Sequence, residues 1–170
     1  MEAIEAILTR RSIRHFNSQN ISNDIIQELL NAAMHAPSAG NEQPWHFIVI
    51  RDRKILEEIP RFHPFSQMLS EVSVALLVCG DVNQERYKGF WVQDCSAATE
   101  NILIAVQAKG LGAVWLGIHP ITERVKGMQK LLRLPEHVVP LAVIPIGYPD
   151  EHKPLANRFN TSRIHLNSWR

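Results

Sequence analysis

Apolar residues recur along this chain at a spacing typical of amphipathic helices. Residues 22–36 begin with Ser22, a good N-cap, and place Ile, Leu, Ala and Met side chains on one helical face. Pro37 follows and cannot continue a helix, so the pattern predicts a helix over 22–36. The longest predicted helix covers residues 89–108 and is followed by Gly110, a residue typical of helix C-termini.

Short apolar runs alternate with these helices and predict the strands of a sheet. Strands are expected at residues 46–50, 71–81, 111–116 and 138–146. Further helices are expected at 53–59 and 122–132, and at a short amphipathic run formed by Ile4, Ile7 and Leu8. Helices come first and then alternate with strands, so the predicted class is α+β or α/β with a sheet of about four strands.

The composition is that of an ordinary globular protein without a strong overall charge. The 170 residues are 45% hydrophobic and 21% charged, and the net charge is +1. These values predict one domain over 1–170 with no general attraction to nucleic acid or to anionic membranes. No signal peptide or bilayer-spanning segment is expected. Cys79 and Cys95 lie in apolar or helical runs and are interpreted as buried thiols, which favours a reducing cytoplasm.

A basic pentapeptide, Arg10–Arg14, follows the first predicted helix. It contains three arginines and Ser12. The guanidinium group is planar and matches the oxygens of a phosphate, and a serine hydroxyl adds a neutral donor. The segment is therefore a candidate phosphate clamp for a small ligand. The alternative is an ordinary basic surface turn.

The loop 37–44 is rich in amide and hydroxyl side chains and lies between two prolines. Ser, Asn and Gln side chains both donate and accept hydrogen bonds without charge, which suits the edge of a planar heterocycle. The alternative is a plain connection between a helix and a strand, built from ordinary turn residues. Together with the basic pentapeptide, the loop favours a protein that holds a phosphorylated planar cofactor.

Motifs for other chemistries are absent from the sequence. Residues 110–115 contain two glycines but follow a helix and precede a strand, which is the reverse of a dinucleotide-binding motif. The histidines show no metal-ligand spacing, and no serine stands in a nucleophile elbow. No metal site and no catalytic acid, base or nucleophile is therefore predicted.

Gly117 follows the strand predicted at 111–116, where glycine would allow a ligand ring to approach the backbone.

Taken in order along the chain, these motifs resemble the nitroreductase family of flavin enzymes. The resemblance rests on Arg10–Arg14, on the segment 36–45, on residues 93–117 and on the tail 158–165. It implies an α+β fold with a central mixed sheet flanked by helices. It also implies a homodimer in which the C-terminal tail packs on the partner subunit and two FMN sites lie at the interface.

The resemblance also assigns cofactor-binding roles to individual residues. Arg10, Ser12 and Arg14, assisted by Arg11, would bind the FMN phosphate and ribityl group. Leu116 and Gly117 match the position whose backbone N–H faces flavin N5. The tail residues Lys153 and Arg158 would return to the phosphate. The other subunit would supply Pro37, Ser38, Asn41 and Gln43.

The implied function is an NAD(P)H-dependent oxidoreductase that works by a ping-pong mechanism. NAD(P)H would reduce the flavin, and a small-molecule acceptor such as a nitroaromatic or a quinone would then reoxidise it. One alternative is a family member with another redox role, such as a dehalogenase or a dehydrogenase. The other is a non-enzymatic module that binds a phosphorylated ligand. Little sequence separates Asp81 from Gly89, where larger members of the family carry inserted helices, so the substrate class stays open.

Overall fold

A five-stranded antiparallel sheet forms the centre of the computed structural model, which describes residues 1–169. The strands are β1 (Trp45–Ile50), β2 (Val74–Asp81), β3 (Gly112–Ala113), β4 (Leu116–Gly117) and β5 (Val138–Gly147). Their order is β1-β2-β5-β3, and β4 pairs with β5 on the same side as β3. Arg170, the last residue of the predicted domain, lies outside the described residues.

The sheet corrects one expectation from the sequence. A mixed sheet was predicted, but the four strand pairings are all antiparallel. A parallel pairing occurs at the isolated bridge between Ser12 and Ala113, where the basic pentapeptide meets the end of the sheet. The α+β class is confirmed, with helices on both faces of the sheet.

The helices lie close to their predicted positions. They are α1 (Ala3–Thr9), α2 (Asn23–Met34), α3 (Arg53–Glu58), α4 (Trp91–Ala108) and α5 (Thr122–Leu132). Ser22 caps α2 as predicted, because its side chain accepts a hydrogen bond from the Ile25 N–H. The segment 63–70, which showed no clear pattern, contains a 3₁₀ helix at Gln67–Ser70. None of the helices within residues 1–169 is both long and apolar enough to cross a membrane.

The strand predicted at 111–116 is divided into two short strands. β3 and β4 pair with β5 in the same register, with Ala113 opposite Ile146 and Leu116 opposite Val143. That register places Pro145 opposite the break between them. Because proline has no N–H to donate, regular pairing is interrupted there.

The core lies on both faces of the sheet because β2 is buried along its entire length. Leu76 and Val78 face a layer formed by α2 and α4, and Ala75 and Leu77 face a layer formed by α3, α5 and the segment 59–69. α4 crosses the first face and contacts α1, α2 and the sheet. It therefore positions the segments at both of its ends.

Candidate functional site

The basic pentapeptide lies along the open edge of the sheet. The Ile13 N–H donates to the Ala113 carbonyl at 2.9 Å, next to the bridge that joins Ser12 to Ala113. This close approach requires glycine at position 112, because a Cβ there would lie 2.8 Å from Ile13 Cγ2. The backbone of the pentapeptide is therefore fixed beside β3.

The C-terminal tail returns to the same edge, as the sequence predicted for Lys153. Its ammonium group donates to the Ser12 carbonyl at 2.6 Å and lies 3.2 Å from a carboxylate oxygen of Glu151. The Arg11 guanidinium also donates to the Pro154 carbonyl. The pentapeptide and the tail thus form one cationic unit, which we call the basic edge (residues 10–14 and 151–158).

Glu151 is an acidic member of the basic edge that the sequence analysis did not single out. Its partial burial raises the pKa of its carboxyl group, but the backbone N–H of Arg14 and the Lys153 ammonium outweigh this effect. The pKa of Glu151 is therefore below its ordinary value of 4.5, and the side chain is ionised at neutral pH.

The remaining predicted arginines of the basic edge are placed differently from one another. Arg10 forms an ion pair with Glu100 of α4 at 3.3 Å, and Arg10 and Arg158 line one cavity of about 240 Å³ beside α1. The Arg14 side chain is exposed. Arg10 is therefore partly engaged by its own chain, whereas Arg14 is accessible to a ligand.

Gly117 lies further along the same edge, in β4. The Ile118 N–H donates to the Leu141 carbonyl of β5, so residue 118 belongs to a hydrogen-bonded pair of the antiparallel ladder. Gly117, paired with Ala142, is then in a non-hydrogen-bonded pair. At that position the N–H and the carbonyl both point away from the neighbouring strand. Apart from Gly117 and its two chain neighbours, no atom of residues 1–169 lies within 4 Å of the place where a Gly117 Cβ would stand. The space beside this backbone is therefore open.

The carbonyl oxygen of Gly117 is fixed by two side chains that the sequence analysis did not identify. His63 Nε2 lies 3.0 Å from it, and Arg124 Nη1 donates to it at 2.8 Å. His63 is buried and Arg124 is half-buried. Neither residue belongs to a recognisable motif, so the sequence carries no signal for this arrangement.

The proline loop (residues 37–44) has a fixed and unusual backbone. Gly40, Asn41 and Gln43 have φ values of 52°, 56° and 49°, in the left-handed region that most residues avoid. The Ser38 hydroxyl accepts the Gln43 N–H at 3.1 Å, and the Gln43 amide donates to Asn41 Oδ1 at 2.9 Å. The predicted loop residues are therefore held together by one another. Such strain is typical of functional sites.

Two acidic side chains fix the proline loop by accepting hydrogen bonds from backbone N–H groups. Asp94, in the first turn of α4, accepts the Ala39 N–H at 2.9 Å, and Glu42 accepts the N–H groups of Arg86 and Tyr87 at 2.6 and 3.1 Å. The sequence offered a signal for Asp94, because it occupies a buried position on the apolar face of α4. Glu42 is the single charged residue of the loop 37–44, which was the signal for it in the sequence.

The proline loop and the basic edge lie at opposite ends of α4. The loop is tied to Asp94, and the segment before the basic edge is tied to Gln107, whose amide donates to Thr9 Oγ1 at 3.1 Å. Thirteen residues of α-helix separate these two positions, a distance of about 20 Å. Within one chain the anchors of the loop and of the segment before the basic edge are therefore separated along α4, although the Arg10 side chain reaches back as far as Glu100.

The sequence of the chain matches one family along most of its length. The model of the Nitroreductase family matches residues 7–77 and 66–148, which include the pentapeptide, the proline loop and both short edge strands. The chain belongs to the nitroreductase family. It is therefore an oxidoreductase, as the resemblance in the sequence implied.

Individual relatives of this nitroreductase agree with that assignment. A protein of Methanothermobacter thermautotrophicus, provisionally named NADH dehydrogenase/NAD(P)H nitroreductase, is 49% identical over 99% of this chain and 88% of its own length. The crystal structure of a protein from Parabacteroides distasonis with the same provisional name is 41% identical. It covers 98% of both chains with a TM-score of 0.95. A Bacillus subtilis protein named FMN reductase [NAD(P)H] is 25% identical over 87% of this chain and 66% of its own length.

Proposed function

We propose that this nitroreductase is an FMN-dependent homodimer that uses NAD(P)H to reduce a small-molecule acceptor such as a nitroaromatic or a quinone. When bound, FMN supplies the hydride chemistry, accepting a hydride from NAD(P)H and passing it to the acceptor. The name of the Bacillus subtilis relative supports both the flavin and the nicotinamide substrate. The protein itself binds, orients and electrostatically supports these molecules.

The observation that carries the proposal is the alignment of two features along one sheet edge. The basic edge is anchored at Ala113, and the outward-facing Gly117 lies four residues further on. An extended chain of four residues spans about 13 Å. A phosphorylated ribityl chain that ends in a flavin ring is long enough to reach from one feature to the other.

The side chains at this edge fit FMN chemically. Arg10, Arg11, Arg14, Lys153 and Arg158 supply cations, and Ser12 supplies a hydroxyl donor, for the phosphate and the ribityl hydroxyls. The open backbone of Leu116–Gly117 suits the close approach of a flat ring. Positive charge near the ring also stabilises the anionic reduced flavin.

The homodimer is supported by the separation of the site into two halves. Asp94, which anchors the proline loop, lies about 20 Å along α4 from Gln107, which anchors the segment before the basic edge. This separation supports a site that takes its loop from a partner. Pro37, Ser38, Asn41 and Gln43 would then contact the flavin bound at the other subunit's basic edge. A cavity of about 340 Å³ beside Pro37 and Ser38 offers space for this contact.

Exposed apolar side chains on α1 and the tail support the same assembly. Leu8 is 68% exposed, Phe159 is 78% exposed and Trp169 is 86% exposed. Such residues are costly to leave in water and are typical of surfaces covered by another subunit. We propose that the tail packs on the partner, as the resemblance implied.

The proposed chemistry requires no ionisable side chain to act as acid, base or nucleophile. The two cysteines are free and buried, and burial raises the pKa of Cys79 to about 12, so this thiol is unreactive. Two neighbouring thiols in the reduced form also agree with a cytoplasmic location, which we include in the proposal.

The proposal is tested by loading purified protein with FMN and measuring three properties. We expect the absorbance bands of bound flavin, a dimer by sedimentation, and oxidation of NADH or NADPH that accelerates when a nitroaromatic or quinone is added. Protein that does not retain FMN after desalting would overturn the cofactor assignment. Flavin-loaded protein that neither nicotinamide reduces would overturn the proposed reaction.

A further inference from the structure

Two side chains from different elements converge on one backbone oxygen at the open edge of the sheet. His63 follows the 3₁₀ turn Ile59–Arg61, and Arg124 lies in the first turn of α5. Both bind the carbonyl oxygen of Gly117, at 3.0 and 2.8 Å. A carbonyl oxygen has two lone pairs, so these donors occupy its full accepting capacity.

Gly117 needs such support more than other residues of the sheet. Glycine has the greatest backbone freedom of all residues, and β4 is a two-residue strand at the edge. Hydrogen bonds to β5 hold only the residues on either side of Gly117, because its own polar groups point outward. The hydrogen bonds from His63 and Arg124 supply the missing constraint.

His63 is itself held rigidly in this orientation. The backbone N–H of His63 donates to the Ile59 carbonyl at 3.0 Å, and the buried Ser66 hydroxyl donates to the backbone carbonyl of His63 at 2.7 Å. Burial lowers the pKa of His63, and the nearby charge of Arg124 lowers it further, so the imidazole is neutral at pH 7. Because Nε2 faces an oxygen, it carries the proton of the neutral ring.

Arg124 is positioned by the packing of α5 against the same segment. Gly127 allows this contact, because a Cβ at that position would lie 2.6 Å from the Phe62 ring. The Arg124 guanidinium also lies 5.8 Å from the centre of the Phe65 ring. Segment 62–66 and α5 therefore act as one support behind β4.

We propose that His63 and Arg124 are positioning residues that fix the Gly117 backbone so that its N–H points at N5 of bound flavin. This inference rests on the proposed function. It extends the proposal to side chains outside the predicted cofactor-binding set. Neither residue touches the reacting atoms, because both act through the Gly117 carbonyl.

The proposed role predicts an effect on the redox balance of the flavin. In oxidised flavin N5 accepts a hydrogen bond, whereas in reduced flavin N5 carries its own hydrogen. A fixed Gly117 N–H therefore favours the oxidised form. Removing a donor from His63 or Arg124 loosens this N–H, so oxidised FMN should bind less tightly while reduced FMN is little affected.

The experiment compares four variants of the FMN-loaded protein with the wild type. His63→Leu and Arg124→Met each remove one donor, and His63→Gln restores a donor at the position of Nε2. Thr99→Ala is the matched control, because it removes a buried hydroxyl-to-carbonyl hydrogen bond within α4 that involves neither His63 nor Arg124. The measurements are the affinities for oxidised and reduced FMN, the midpoint potential and thermal stability.

We expect His63→Leu and Arg124→Met to weaken binding of oxidised relative to reduced FMN by about three- to tenfold. A tenfold change corresponds to a rise of about 30 mV in the two-electron midpoint potential. His63→Gln should return the potential toward the wild-type value, and Thr99→Ala should lower stability alone. Arg124→Met, at a half-buried position, keeps the test available if His63→Leu does not fold.

The outcomes separate this inference from the function on which it rests. Wild-type protein that retains FMN, with unchanged potentials in the donor-removing variants that fold, would overturn the positioning role and leave the proposed function intact. Wild-type protein that does not retain FMN would overturn both. A potential shift of equal size in Thr99→Ala would show that general loosening, rather than the Gly117 contact, is responsible.

Discussion

The carboxyl groups of Glu42 and Asp94 influence each other's pKa where the proline loop meets α4, and one buried oxygen of each, Glu42 Oε1 and Asp94 Oδ2, has no other partner among the described residues. A hydrogen bond between two carboxyl groups forms only when one of them carries a proton. Burial raises the pKa of Asp94, and its contact with Glu42 raises it further. Burial also raises the pKa of Glu42, but the Arg86 and Tyr87 N–H groups outweigh this, and the net shift is downward. Because the pKa of Asp94 is raised and that of Glu42 is lowered, Asp94 is the partner that loses its proton last as the pH rises.

This pair predicts how Asp94→Asn changes the pH dependence of stability. Because the folded-state pKa of Asp94 is raised, its stabilising proton is lost as pH rises from the ordinary value of 3.8 through the folded value. Glu42, whose pKa is lowered, contributes its full stabilisation of the folded state above its ordinary pKa of 4.5. Asparagine donates without titrating, so we expect the free energy of unfolding to fall less steeply above pH 3.8 in the variant.

Denaturant unfolding from about pH 2.5 to pH 9 measures this difference, which should not exceed about 1.4 kcal/mol per pH unit. Glu42→Gln is the companion variant, and it should reduce the stability gained between the folded pKa of Glu42 and pH 4.5. Parallel curves for the wild type and Asp94→Asn across the entire range would contradict a shared proton.

Gly40→Ala should destabilise the protein more than Gly110→Ala. Both glycines have positive φ values, 52° and 71°, so alanine adds backbone strain of about 1 kcal/mol in each case. At Gly110 the added Cβ meets no described atom within 4 Å other than those of its chain neighbours, whereas at Gly40 it lies 2.5 Å from the Tyr87 ring. Thermal melting of the two variants isolates the steric contribution. Equal losses would show that the Tyr87 side chain moves aside freely.

Arg14→Ala should weaken FMN retention by about tenfold or more, because a charge-assisted hydrogen bond contributes about 1.5–3 kcal/mol. Arg61→Ala is the matched control, since Arg61 is exposed and pairs with Glu58, and neither residue belongs to the basic edge. Fluorescence titration with FMN measures both variants. Equal affinities would make the pentapeptide an ordinary surface turn.

Leu8→Asp should disrupt the dimer and lower flavin loading together, because α1 would present a charge to the apolar surface of its partner. Val49→Asp is the control, since Val49 is also exposed but lies on β1 at the opposite edge of the sheet. Sedimentation and flavin absorbance report the two properties. A Leu8→Asp protein that is monomeric yet fully loaded with FMN would contradict a site shared between subunits.

The hydrophobic pattern predicted most of the fold because helix and strand periods are local properties. Ser22 and Pro37 bounded α2 closely, and the apolar run at 71–81 became the buried strand β2. The division of the strand at 111–116 was missed because it depends on the residues opposite, chiefly Pro145, which belongs to another part of the chain. Strand direction was likewise set by pairing and not by the pattern of any one strand.

The candidate site was predictable to the extent that its residues lie in short contiguous motifs. The structure brings Ser12 and Lys153 together as expected, although the cofactor-binding roles of all the named residues stay predictions. His63 and Arg124 could not be found in this way. They are 61 positions apart in the sequence, and their shared target is a backbone oxygen that has no side-chain signature.

The length of α4 has a genetic consequence. In a homodimer built as proposed, each site takes its basic edge from one chain and its proline loop from the other, so a defect in either segment damages both sites. Two alleles, one altered at Arg14 and one at the proline loop, would form mixed dimers in which one site inherits both defects and the other neither. Co-expression of two inactive alleles should therefore restore up to half of the activity per mixed dimer.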